Sequence, residues 1–274
     1  MRINVRHETS YAYKQPVRSA VQLLRMTPRS CGNQFVRSWR VEVDTDARLD
    51  KSEDAYGNVT HMVFIDEPVN HVRIMIEGEV DTVDLGGLMS GTLERQPRQL
   101  HLRETALTKA TAAIKDLARD ASATEARDMI ASLHNLNLTI FKTMTFAVGS
   151  TTATTTAGEA YALQSGVCQD FSHIFVSAAR TLGVPARYVS GYYMRTDHTD
   201  QDAGHAWAEA YLDQLGWVGF DPAQGACTND RYVRVAIGAD SNEAAPVRGA
   251  RTGGLSEALT VAIQVQQGRT IIEN

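Results

Sequence analysis

The chain has 274 residues, 43% hydrophobic and 22% charged, with a formal net charge of −5 at pH 7. That is ordinary globular composition, enough for the core of one or two domains. No Lys/Arg run marks a nucleic-acid surface, no apolar run approaches the roughly 20 residues that span a bilayer, and the N-terminus lacks the apolar stretch of a secretory signal. A soluble cytoplasmic protein is the expectation, with no nucleic-acid or membrane partner.

Residues 1–85 read as β. Segments 1–7, 39–44, 63–65 and 73–80 alternate apolar and polar, with turn signals at Tyr56-Gly57-Asn58 and Glu67-Pro68. Short strands at this spacing predict an antiparallel sandwich or small barrel. No catalytic residue types gather there, so this half reads as a structural or substrate-gating domain. Residues 86–103 hold three glycines and a proline without a clear period and read as a linker.

A second domain is expected over 104–237. Helical composition covers 105–119 and 124–141, a short extended piece 144–148, and a Thr-rich loop 150–156. Thr156-Ala157-Gly158-Glu159 has capping-box form and predicts a short helix, Ala157–Leu163. Gly166 is expected to take a positive φ, and the chain then turns into an apolar helix over 168–182, closed by Gly183 and Pro185. Strands follow at 186–194, 206–212 and 217–220, with a polar loop at 195–204. The final stretch, 238–274, reads as a loop (238–256) and strands at 259–265 and 270–272.

Within this second domain stand Cys168 at a helix start, His205 in Gly204-His205-Ala206-Trp207, and Asp221 in Phe220-Asp221-Pro222. A helix N-terminus carries a partial positive charge and unpaired N–H groups, which favour a thiolate and can face a developing oxyanion through the Cys168 backbone. His205 is the candidate base. A hairpin centred near 213–216 sets Asp221 opposite about Ala208 and His205 opposite about Gln224, close enough for Asp221 to fix the imidazole tautomer.

Taken singly, each of these residues has a plain structural reading: an inert core cysteine, a packed histidine, a turn aspartate. The ordered set points instead to a thiol nucleophile, its base and the base's orienter. Cys31 and Cys227 read as inert, His173 as structural, and Glu209 and Asp213 as solvated strand or turn residues. Asp170, two residues past the cysteine, is a charge that opposes the thiolate. The spaced cysteines and histidines form neither a disulfide framework nor a zinc set.

The stretches Gly166-Val167-Cys168-Gln169-Asp170-Phe171-Ser172-His173, Gly183-Val184-Pro185-Ala186-Arg187, His205-Ala206-Trp207-Ala208-Glu209 and Gly216-Trp217-Val218-Gly219-Phe220-Asp221-Pro222 resemble the transglutaminase-like superfamily, closest to its bacterial branch of cysteine proteases. His7-Glu8-Thr9-Ser10-Tyr11-Ala12-Tyr13, Leu24-Arg25-Met26-Thr27-Pro28-Arg29 and Asp54-Ala55-Tyr56-Gly57-Asn58 resemble the β-domain preceding the core in that branch.

The resemblance implies an α+β fold: an N-terminal antiparallel β-sandwich-like domain, then a papain-like, transglutaminase-like core whose nucleophile helix packs on an antiparallel sheet. It implies a Cys168, His205, Asp221 triad, acyl transfer from a peptide or protein amide through a Cys168 thioester, and no metal or organic cofactor. Gln169 stands where animal transglutaminases have Trp, and Ala162 where papain has its oxyanion Gln. The second oxyanion donor is therefore open, with Tyr161 and Gln164 as candidates by proximity. Hydrolysis is expected because water is the default acceptor. The alternatives are transfer to an amine, which the acidic loop 195–204 would suit if cationic, and a non-catalytic scaffold.

Overall fold

A computed structural model describes residues 1–123 and 128–268. In chain order the strands are β1 Arg2–Thr27, β2 Gln34–Val43, β3 Arg48–Glu53, β4 Val59–Ile65, β5 Val69–Thr82 and β6 Leu88–Met89. Helices α1 Ala112–Ala123 and α2 Met129–Thr143 follow, then β7 Thr145–Phe146, α3 Ala157–Leu163, β8 Ser165–Gly166 and α4 Cys168–Thr181. The chain continues through β9 Ala186–Tyr193, β10 Asp200–Gln201, β11 His205–Leu212, β12 Gly216–Asp221, β13 Ala226–Cys227, β14 Tyr232–Gly238, β15 Val247–Gly253 and β16 Glu257–Gln267. The fold is α+β. The start of the helical segment at 124–127 and the strand expected at 270–272 lie outside the described residues.

The first sheet is organised by β1, a single 26-residue strand. Its first half lies between β16 and β5, and its second half between β15 and β4. The buried set changes from odd positions (Ile3, Val5, Val17) to even ones (Ala20, Leu24, Met26) where pairing with β15 shifts between Val17 and Ser19. A bulge of this kind switches the face a strand buries and bends it. The bent strand lets the sheet curl over one core of Val17, Leu24, Val63, Val72, Ile74 and Ile76. The stretch 238–256 is not all loop. It carries β15, which with β16 runs along β1 and completes this sheet. Strand β3 escaped the sequence reading because all six of its residues are exposed and show no buried alternation.

The second sheet has the order β13-β12-β11-β9-β14, with β6 also on β12. Ala206, Ala208 and Ala210 give β11 a low surface on one face, and Ala208 and Ala210 join the core built with Phe171, Ile174, Phe175 and Ala178 of α4. Small residues permit this close helix–sheet approach. Ile114, Leu117, Leu133, Leu136 and Ile140 of α1 and α2 close the layer over α4.

The outer edge at β14 is not left open. The Gln34 carboxamide donates to the Arg234 carbonyl (2.8 Å) and accepts from the Arg234 N–H (2.9 Å). Asn58 does the same at Ile237, at 2.8 and 2.9 Å. Two buried amides thus stand in for a neighbouring strand and block edge pairing. They also dock the first sheet on the second, helped by a shared core of Ile3, Val5, Tyr192, Val233 and Ile263.

Glu209 is not solvated. It is fully buried, and accepts from Arg187 Nε (2.6 Å) and Arg234 Nε (2.7 Å). The Arg187 guanidinium also lies 3.7 Å from the Trp217 ring centroid. Alternation hid this, because β11 is buried on both faces and its polar position is spent on an internal ion pair. Burial raises the Glu209 pKa, but the two guanidiniums outweigh it and hold the carboxyl down at about 2. The sign follows from a depressed native pKa: the stabilisation is present above the ordinary value of 4.5 and is lost as pH falls toward about 2. Glu209→Gln leaves two cations under-compensated and should cost about 3 kcal/mol or more at pH 7, with a smaller difference at low pH, read from urea unfolding.

Candidate active site

Helix α4 starts at Cys168 because Val167 is extended (φ −115°, ψ 178°) and Asp170, in the first turn, reaches back to accept from the Val167 N–H at 2.8 Å. The same Asp170 oxygen accepts from the Thr151 hydroxyl at 2.6 Å, tying the preceding loop to the helix start. The positive φ expected at Gly166 is found instead at Gln164 (φ 50°), the C-cap just past α3. Gly166 has a different reason to lack a side chain: a Cβ there would stand 2.6 Å from the Asp170 carboxylate. The Thr156–Glu159 capping box forms as the sequence predicts, with the Thr156 N–H donating to Glu159 at 2.8 Å.

His205 opens β11 opposite Gly191 of β9. Its Nε2 lies 2.6 Å from Asp221 Oδ2. Asp221 is fully buried, and also accepts from the Tyr232 hydroxyl (2.8 Å) and the Ala223 N–H (3.0 Å). The hairpin register differs by one from the sequence estimate. Leu212 pairs with Gly216 and Ala208 with Phe220, because the connecting loop is three residues with Gly216 at φ 81°. Continuing that register sets Asp221 across from Trp207, so Asp221 and His205 share a face. An offset of one more would have put them on opposite faces.

The imidazole is framed by Tyr193, Trp207 and Tyr232, with ring centroids 5.3, 6.2 and 6.0 Å away. Burial alone would push the His205 pKa down. The Asp221 charge and hydrogen bond, and a hydrogen bond with Cys168, outweigh it and raise the pKa to about 10. With Nε2 held by Asp221, Nδ1 is the nitrogen left for the thiol. Cys168 itself is half-buried and packs on Tyr188, Ala206 and Ala244.

Cys168 and His205 open into a cleft of about 530 Å³, lined also by Gln169, by Phe146, Val148 and Thr151 of the preceding segment, and by residues of the 195–204 loop. A larger trough of about 710 Å³ crosses the first sheet by Trp39 and Gly78, and neither a cysteine nor a histidine lines it.

Neither Tyr161 nor Gln164 lines the Cys168 cleft. Tyr161 packs half-buried against the helical core, and the Gln164 side chain is exposed at the end of α3. His173 is buried against Tyr188 (5.2 Å), accepts from the Ser241 N–H at 3.0 Å, and is pushed by burial to a pKa of about 4. Cys227, half-buried, is pushed up to about 11, also by burial. Tyr232 went unnoticed because it stands past the hairpin in a stretch with no turn or motif to mark it.

A family model for the bacterial transglutaminase-like N-terminal region matches residues 3–81, and one for the transglutaminase-like superfamily matches residues 115–222. An uncharacterized protein of Mycobacterium tuberculosis is 30% identical over 273 residues, covering 90% of this chain and 87% of that protein. The chain belongs to the transglutaminase-like superfamily. An uncharacterized protein of Mycobacterium leprae is 26% identical over 288 residues, covering 96% of this chain and 98% of its own. The fold also matches the crystal structure of "a Putative Cysteine Protease" from Cytophaga hutchinsonii, with a TM-score of 0.77 and 18% identity over 100% of this chain and 92% of that one. Within this transglutaminase-like chain, no helix among the described residues is long and apolar enough to cross a membrane.

Two measurements test the geometry. The raised His205 pKa means its pairing stabilises the fold fully below pH 6.5 and fades as pH rises through about 10. Asp221→Asn removes the charge, and the imidazole pKa seen by NMR titration should fall by about one unit or more. Asp170→Ala should cost about 2 kcal/mol in urea unfolding, while Asp170→Asn, which keeps an acceptor for Val167, should cost clearly less.

Proposed function

We propose that the chain is a cysteine-dependent acyl-transfer enzyme acting on peptide or isopeptide amides, with Cys168 as nucleophile, His205 as acid and base, and Asp221 as orienter. The observation that carries this reading is the 2.6 Å bond from a fully buried Asp221 to His205, which shares one cleft with the Cys168 thiol at the N-terminus of α4. His205 takes the thiol proton and Cys168 Sγ attacks the amide carbon. The carbonyl electrons move onto oxygen, which faces the Cys168 N–H. The Gln169 carboxamide, beside Cys168 in the cleft, is the second donor we assign, in place of Tyr161 or Gln164.

Collapse of the tetrahedral species expels the amine, which leaves with the proton held by His205, and a thioester remains. Water then attacks as His205 accepts its proton, and Cys168 Sγ departs with the acid released. We read water as the acceptor, making the enzyme a peptidase or amidase. A primary amine attacking the same thioester would make it a transglutaminase. A free reactive thiol persists in a reducing compartment, and the cytoplasm is the location we infer.

The test is incubation with glutamine-containing peptides, with and without a labelled primary amine, followed by mass spectrometry. The expected result is hydrolysis exceeding label incorporation and a loss of about 10³-fold or more in Cys168→Ala. Dominant incorporation would reverse the choice of acceptor. Unchanged activity in Cys168→Ala would remove Cys168 from the chemistry, and no turnover together with no selective alkylation of Cys168 by iodoacetamide would leave a non-catalytic scaffold.

A further inference from the structure

Two segments of different chemistry line the cleft around Cys168. One runs from β7 into the next loop and presents large apolar side chains to solvent, with Phe146 54% and Val148 86% exposed. Exposed apolar groups grouped in a binding cleft mark a surface that a ligand covers.

The other is the 195–204 loop, whose charges are mostly matched. Asp197 pairs with Arg195 (2.9 Å) and His198 (3.1 Å), and Asp200 accepts from Gln264 at 2.8 Å. Asp202 lines the same cleft and, among the described residues, forms no ion pair. The loop is held in place, since Asp200 and Gln201 pair with Gln264 and Ile263 of β16. On its far side a hollow of about 260 Å³ continues over Arg6, Glu8 and Ala262 of the first sheet, sharing Asp200, Gln201 and Asp202 with the cleft.

From this we infer that the cleft takes an extended polypeptide with a large apolar side chain over Phe146 and Val148 and a basic side chain against Asp202, the chain running on over Asp200–Gln201 toward the first sheet. The basic residue flanks the reacting amide and is not the acyl acceptor. The inference rests on the proposed function only for where the reacting amide sits. Selection by one exposed carboxylate is electrostatic and falls with salt, whereas selection by the apolar side does not.

The experiment separates the two readings by measuring binding in Cys168→Ala protein, where no turnover occurs. Fluorescein-labelled decapeptides with a central Gln carry Lys, Gln or Glu, and independently Leu or Ser, at each flanking position, and are read by anisotropy. At one flanking position Lys should bind about fivefold tighter than Glu. At another, Leu should exceed Ser by about tenfold. Asp202→Lys should reverse the first preference, and about 0.5 M salt should flatten it. Phe146→Ser with Val148→Ser should abolish the second. Equal binding of Lys and Glu peptides at every position, or a preference that survives Asp202→Lys, overturns the inference even if wild-type enzyme cleaves peptides. The charge-reversing result upholds it even if Cys168 proves unreactive.

Discussion

The Asp221 carboxylate is removed from water, and the geometry around His205 depends on how that burial is made tolerable. An isolated buried carboxylate would take up a proton. Here one oxygen meets His205 and the Tyr232 hydroxyl, and the other the Ala223 N–H. The three partners come from β11, β14 and the turn after β12. The carboxylate therefore fixes three segments at once, and its negative charge keeps a proton on an imidazole that burial would strip. Tyr232 is itself positioned by packing on both Trp207 and Tyr193.

That arrangement requires β11 to be buried on both sides. Its alanines accept α4 on one face, bringing Cys168 to the strand's beginning. Its other face carries His205, Trp207 and Glu209, and each needs a partner. His205 has Asp221, Glu209 has Arg187 and Arg234, and Trp207 crosses Gly191, where a Cβ would stand 2.7 Å from the ring. The first sheet shields this polar and aromatic face through Gln34, Asn58 and the shared core at Tyr192 and Val233. The N-terminal half is thus part of what makes the site's electrostatics possible, because an open edge at β14 would admit water beside Arg234 and Tyr232.

The sequence made the local features legible and the long-range ones illegible. Capping at Thr156 and Glu159, the apolar face of α4 and the hairpin after β11 all follow from residues a few positions apart. The pairing offset was missed by one because turn residues leave the loop length ambiguous: Asp213 to Gly216 reads equally as three or four residues until Gly216 is seen at positive φ. The role of Glu209 was missed because a lone carboxylate in a strand carries no mark of two arginines that lie 22 and 25 positions away. The return of the C-terminal chain to β1 crosses more than 200 residues, and only the tertiary fold brings those strands together.

Asp170 shows why a carboxylate can belong beside Cys168. Its carboxyl is buried, and burial raises its pKa against the hydrogen bonds from Thr151 and Val167. Both of its close contacts are donors that locate backbone: Val167 fixes where α4 begins, and Thr151 fixes the loop that carries Val148 and Ala153 into the cleft. The group therefore sets the distance between α4 and the apolar side of the cleft. A neutral hydroxyl there would place no charge beside Cys168 but could not reach back three residues to the Val167 N–H as a carboxylate does. The positive end of α4 and the protonated His205 offset the unfavourable charge, so the position selects for geometry and leaves the electrostatics of the thiol to other groups.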